Sequence, residues 1–180
     1  MSPFSFRTRV LAPLAASIVA LGLASCGSST SVPATEVIVH VRVDSTLYTT
    51  AATTGSLRID VESSADGISF DGFVHSGIPR ALPDPSSEVR VALTPRGGDA
   101  TRMYRVTATV LVTGGVSLVV ARLIGGYREG ATLDYQLLLA ASCSGAECSD
   151  VQTCQSGGDC VDARMPSSAA YEVRDAGPIP

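Results

Sequence analysis

From Glu36 onward the chain alternates apolar and polar residues with a period of two. Val37, Val39, Val41 and Val43 share one face. Glu36, His40 and Arg42 share the other, with Ile38 the exception on the polar side. Successive side chains of an extended strand point to opposite faces, so this run predicts a strand with one buried face. Leu57, Ile59 and Val61 repeat the pattern against Arg58, Asp60 and Glu62. A third, weaker run comprises Ile68, Phe70 and Phe73-Val74, with Gly72 where a bulge fits. The link from Ile78 to Pro85 is proline-rich and unsuited to a helix. Val89, Val91 and Leu93 form a fourth run against Glu88, Arg90 and Thr94. Tyr104, Val106, Ala108, Val110 and Val112 form a fifth against Arg105, Thr107 and Thr109. Gly114-Gly115 then signals a hairpin. The sixth run, Val116 to Ile124, is almost continuously apolar, the pattern of a central strand covered on both faces. Gly125-Gly126 ends it, and Leu133, Tyr135, Leu137 and Leu139 make the seventh.

Short strands punctuated by Gly, Pro and Ser predict an all-β sandwich of about seven strands. Strand number and length favour an immunoglobulin-like topology. The Cys…Trp…Cys hallmark of antibody domains is absent, so a jelly roll or small barrel stays open. No window carries a convincing helical stripe. The nearest competitor, Gln136 to Ala141, is too short to decide. The composition agrees, being rich in Val, Leu, Thr, Ser and Gly, which favour strands and turns.

The first residues carry an address. Arg7 and Arg9 precede an apolar stretch from Val10 to Leu23, broken only by Pro13 and Ser17. It falls short of the about twenty residues that span a bilayer core, and fits the hydrophobic region of a secretory signal. It ends in Leu23-Ala24-Ser25-Cys26, which resembles the lipobox of bacterial lipoproteins. The resemblance implies cleavage before Cys26 and lipidation of its thiol and new amino group. Two or three acyl chains, at about 0.8 kcal/mol per buried CH₂, hold a protein on a membrane far better than one. Gly27 follows where an aspartate would suggest retention in the inner membrane, which points to the outer membrane.

Export changes the reading of charge and cysteine. Removing residues 1–25 takes away two of 13 basic residues and no acid, leaving 11 Arg against 17 acidic residues and a net charge of −6. An acidic surface argues against nucleic acid as a partner. The chain has no Lys, Asn or Trp, which we read as the codon bias of a GC-rich genome and not as phosphate recognition. The four cysteines besides Cys26 are Cys143, Cys148, Cys154 and Cys160, spaced C-x4-C-x5-C-x5-C in a polar segment. In an oxidising compartment an even, clustered set predicts two disulfides, and three pairings are possible. Zinc is the rival, but its ligands usually come in closer pairs with a longer spacer, and no histidine is near. Glu147, Asp150, Asp159 and Asp162 lack the tight oxygen spacing of a calcium loop.

The lipobox, the strand-rich stretch ending in Tyr135-Gln-Leu-Leu-Leu, and the run of C-x4-C, Thr153-Cys154 and Gly158-Asp-Cys160-Val161 together resemble an architecture recurrent among myxobacterial surface lipoproteins of unknown function. The resemblance supports the compartment and the fold, and brings no activity to carry over.

His40 lies on the polar side of the first run and His75 beside the Ser76-Gly77 turn; both read as exposed strand residues. No G-x-S-x-G, H-E-x-x-H, P-loop or Rossmann pattern occurs. Asp60, Glu62, Asp66 and Asp71 read as solvated strand edge and turn. Tyr127, in Gly125-Gly126-Tyr127-Arg128, is the best aromatic candidate for a ligand contact. Arg122, inside the most apolar run, requires a sheet surface or a partner acid. The expected organisation is a signal peptide (1–25), a lipid-anchored tether (26–35), a sandwich domain (36–142), a cysteine module (143–161) and a polar tail (162–180), in which Tyr171 and Val173 could add a short edge strand. The expected function is a non-enzymatic module of the cell envelope, structural or protein-binding, with no cofactor and no metal. The alternative is binding of a cell-surface polysaccharide.

Overall fold

The computed structural model describes residues 34–51 and 55–165 of the chain. The residues on either side, including Cys26 and the Tyr171–Val173 segment, lie outside the described part. In chain order the strands are β1 (Glu36–Val43), β2 (Ser56–Ser64), β3 (Asp71–Ser76), β4 (Arg80–Ala81), β5 (Val89–Leu93), β6 (Met103–Val112), β7 (Val116–Gly126), β8 (Thr132–Leu139), β9 (Gln152–Cys154) and β10 (Cys160–Asp162). One sheet has the order β5-β1-β8, with β5 antiparallel and β8 parallel to β1. The other runs β3-β2-β6-β7, with β4 also pairing β2. The two sheets pack their apolar faces together, so the molecule is an all-β sandwich, and the immunoglobulin-like expectation is met at the level of two packed sheets.

The period-two pattern explains the core. Val37, Val39 and Val41 of β1 meet Leu57, Val106, Val110 and Leu123 of the opposite sheet, each fully buried. A fully buried Val or Leu contributes about 1.5–3 kcal/mol relative to an exposed one. The hairpin at Thr113–Gly115 forms as expected, with Gly114 and Gly115 both at positive φ.

Three expectations are corrected. A helix does form, α1 (Ser45–Ala51), directly after β1. Asp44 initiates it, accepting from the backbone N–H of Thr46 (2.7 Å) and, at 3.4 Å, of Leu47. Leu47 and Ala51, four residues apart, are its buried residues. Two anchors are too few to show as a stripe in sequence. Secondly, Ile68 and Phe70 are not in a strand. Asp66 accepts from the N–H groups of Ile68 and Ser69 and from the Ser64 hydroxyl, which folds residues 65–70 into a turn. Those bonds, the one from Ile68 foremost, hold the Asp66 carboxyl down at about 2. The strand starts only at Asp71, and its register with β2 shifts around Gly72. Thirdly, β7 is the last strand of its ladder and not a central one. It is apolar because the cysteine module covers its outer face.

That module is held by two interleaved disulfides, Cys143–Cys154 and Cys148–Cys160. Arg122 fastens it to β7. Its backbone N–H donates to the Thr153 hydroxyl (2.9 Å), and its guanidinium reaches the carbonyls of Cys148, Ser149 and Gln152 (3.3–3.4 Å) and the Asp150 carboxylate (3.7 Å). The module continues past residue 161. Ala163 is fully buried and accepts from the N–H of Ile124, whose carbonyl in turn accepts from Met165. Replacing Arg122 with alanine leaves these carbonyls without their cation. The expected result is faster amide hydrogen exchange at residues 148–154 and an overall loss of about 1.5–3 kcal/mol. Unchanged exchange there would remove Arg122 from this role.

Candidate functional site

The sandwich is closed along one flank and open along the other. On the closed flank β7 and β8 pack together. Gly125 matters there, because a Cβ on it would lie 2.4 Å from the hydroxyl oxygen of Tyr104, the residue paired with it across the ladder. The Tyr104 ring therefore lies over the glycine, deep in the core. Burial, first of all, pushes the Tyr104 hydroxyl's pKa far up, with Tyr135 as a polar neighbour. Neither hydroxyl makes a hydrogen bond of good geometry.

On the open flank β5 is an edge strand. Among the described residues its backbone pairs with β1 alone. A groove of about 420 Å³ separates it from β2 and β4. Five consecutive residues, Arg90 to Thr94, line the groove, so it follows the strand's edge and not one face. Its floor is apolar, from Ile59 and Val61 of β2, Val91 and Leu93 of β5, and the Tyr104 ring. Its rim carries Arg80, Arg90 and Arg96. Local structure puts them there. Arg80 belongs to the two-residue strand that pairs Leu57, and Arg96 opens the turn that leaves β5.

The carboxylates nearby are already engaged. Glu62, the only acid among the described residues that line the groove, forms a two-pronged pair with Arg105 on the neighbouring strand (2.6 and 2.9 Å). Phe70 stacks on that guanidinium at 4.7 Å. Glu88 lies 3.2 Å from Arg90 and also meets His40. Among the described residues Arg80 and Arg96 form no ion pair.

His40 departs from expectation. It is not an exposed strand residue but sits between Glu88 (Nδ1, 2.9 Å) and the buried Asp134 (Nε2, 2.7 Å), tying β1 to β8 and to the residue that precedes β5. Burial pulls its pKa down. The hydrogen bonds to Asp134 and Glu88 outweigh that, and the net position is above the ordinary 6.5. The His40 bond also holds the Glu88 carboxyl below its usual range, with Arg90 and Arg42 adding to it. A pKa raised on folding stabilises fully below the unfolded value, and the contribution is lost as pH rises through the folded value. Stability is therefore expected to fall from about pH 6.5 upward. His40→Gln is expected to abolish that slope in thermal melts taken between pH 5 and pH 9. A slope that survives the substitution would assign it to other groups.

The remaining candidates fall as follows. Tyr127 is half-buried and lines the groove. Its ring meets Tyr104 edge-on at 5.3 Å and its hydroxyl donates to the Thr94 carbonyl (3.4 Å), so it closes one end of the groove and is no flat platform. His75 lies in β3 opposite Val61. Asp60 is buried, not solvated. It sits 2.9 Å from Arg58 Nε, without hydrogen-bond alignment, and accepts from Gly77 N–H. Glu147, Asp150, Asp159 and Asp162 are exposed, and no cluster able to hold a metal exists among the described residues. The groove itself was not read from sequence. Its arginines come from three separate segments, and only the strand order brings them together. No family model matches the chain, and no curated protein or solved structure matches it at a significant level.

Proposed function

We propose that the chain is a non-enzymatic, lipid-anchored protein of the bacterial cell envelope that acts as a protein-interaction module. The observation that carries the reading is the open flank: an edge strand without a second partner among the described residues, beside an apolar groove. A row of unpaired N–H and C=O groups is a ready template for another chain. The signal-like start and the lipobox-like Leu23-Ala24-Ser25-Cys26 support the envelope address, on the outer membrane and through a lipid on Cys26. Cys26→Ser would then move the protein from the membrane to the soluble fraction.

The direct test is photo-crosslinking in intact cells, with Cys26 unchanged and a photoreactive residue in place of Ala92, an exposed position on β5. One dominant protein adduct supports the reading. Capture of no macromolecule overturns it. Recovery of polysaccharide instead would favour the second reading, a carbohydrate-binding module, with Tyr127 in the groove wall the first residue to substitute. Tyr127→Ala would then abolish the recovery.

A further inference from the structure

We infer that the open flank takes an extended acidic peptide segment, which adds to β5 as a further strand and presents carboxylates to Arg80, Arg90 and Arg96. The inference rests on the reading of the chain as an interaction module and names the chemistry of the partner.

Charge around the groove is opposite to that of the chain. The chain as a whole is acidic, at −4. The groove rim is the reverse: Arg80, Arg90 and Arg96 line it, Glu88 at 3.2 Å meets only Arg90, and Glu62 is held by Arg105. Arg102 adds a fourth cation beside the groove, its Nε donating to the hydroxyl of Ser63, itself a groove residue. Arg80 and Arg96 have no carboxylate of their own among the described residues. Guanidinium groups match carboxylates in geometry as well as sign, through two parallel N–H donors. The ligand that completes the rim is therefore anionic and carries carboxylates.

Between a peptide and an acidic sugar, the groove's walls decide. It follows a strand edge for five residues, so its repeating donors and acceptors have the spacing of an extended backbone. Its floor is aliphatic, from Ile59, Val61, Val91 and Leu93. Its Tyr127 stands edge-on to Tyr104 with its hydroxyl occupied, and offers no ring face for a sugar to stack on. In a strand, alternate side chains face opposite ways. The fitting segment alternates apolar residues, which reach the floor, with Glu or Asp, which reach the rim.

The test is a fluorescence-anisotropy titration of the mature protein in detergent. The probe is a labelled peptide of alternating valine and glutamate, and the controls are the valine–lysine peptide and an oligogalacturonate. The expected result is saturable binding of the glutamate peptide, weakened by salt, and none of the lysine peptide. Arg80→Ala combined with Arg96→Ala is expected to weaken binding about tenfold. Both side chains are exposed, so an unchanged melting temperature confirms that the variant is folded. Methylating the peptide's backbone nitrogens separates an added strand from charge attraction alone. Methylation of the valine set or of the glutamate set, but not of both, should abolish binding, since only one set of N–H groups faces β5. Equal binding of both methylated peptides, or indifference to the arginine substitutions, overturns the inference. So does arginine-dependent binding of the oligogalacturonate without the peptide, and that outcome leaves a binding module standing where an empty crosslink at Ala92 does not.

Discussion

Replacing Cys143 and Cys154 together with serine is expected to lower stability by about 2–4 kcal/mol, measured by denaturant unfolding. The two residues are 11 apart and both are buried. The bridge restricts the unfolded chain, and the two serine hydroxyls that replace the sulfurs share one nearby acceptor, the Gln155 carbonyl that lies 3.0 and 3.4 Å from the sulfurs. The cost is not confined to the module. Its residues Thr153, Ala163 and Met165 supply the hydrogen-bond partners of Arg122 and Ile124, so a loosened module uncovers the outer face of β7. Hydrogen exchange should accelerate from residue 143 to 165 and along the second half of β7. The outer bridge, Cys148–Cys160, has one exposed sulfur-bearing residue and one half-buried one, and should be reduced before the inner bridge. A loss below about 1 kcal/mol would contradict this account of the module as a working part of the sandwich.

Gly77→Ala is expected to cost about 3 kcal/mol in the same measurement, a large effect for one added methyl. A Cβ at Gly77 would lie 2.2 Å from the carbonyl oxygen of Ile59 and 2.8 Å from its nitrogen. Both atoms are backbone, in the middle of β2, and no rotamer change relieves the clash. The chain between β3 and β4 would have to lift away from β2 and break the bond from Gly77 N–H to the Asp60 carboxylate (3.2 Å). That bond satisfies one oxygen of a buried acid. The displaced segment also carries Arg80, so the variant should bind an acidic peptide more weakly than its residual stability implies. A neutral substitution would show that the two strands are not in close contact here.

Much of the fold was legible because burial is one-sided. Each of the seven runs contributes to a strand, the third only through Phe73-Val74, and the apolar face of β1 read from sequence is the face that enters the core. The pattern failed where side chains bond to the local backbone. Asp44 starts a helix and Asp66 closes a turn through short-range hydrogen bonds that leave no periodicity. It also misled at β7, where an all-apolar run meant a covering module and not a neighbouring strand. The arginine inside that run was a sound signal, since Arg122 required a partner and found Asp150 together with three carbonyls. The disulfide cysteines were legible as a set and their pairing was not, because pairing depends on how β9 and β10 lie side by side. The groove was the least legible feature. Arg80, Arg90 and Arg96 lie in three separate segments, and they come together only through the strand order, in which β5 pairs with β1 alone among the described residues.

The most direct test of the open flank is amide hydrogen exchange, followed residue by residue along Val89–Leu93. In the free protein the amides that face β1 should be protected and the alternating ones should exchange rapidly. Adding the valine–glutamate peptide should slow the fast set and leave the outer face of β8 unchanged. Uniform protection of all five amides in the free protein, or a fast set that the peptide does not slow, would contradict the claim that this edge is a docking site.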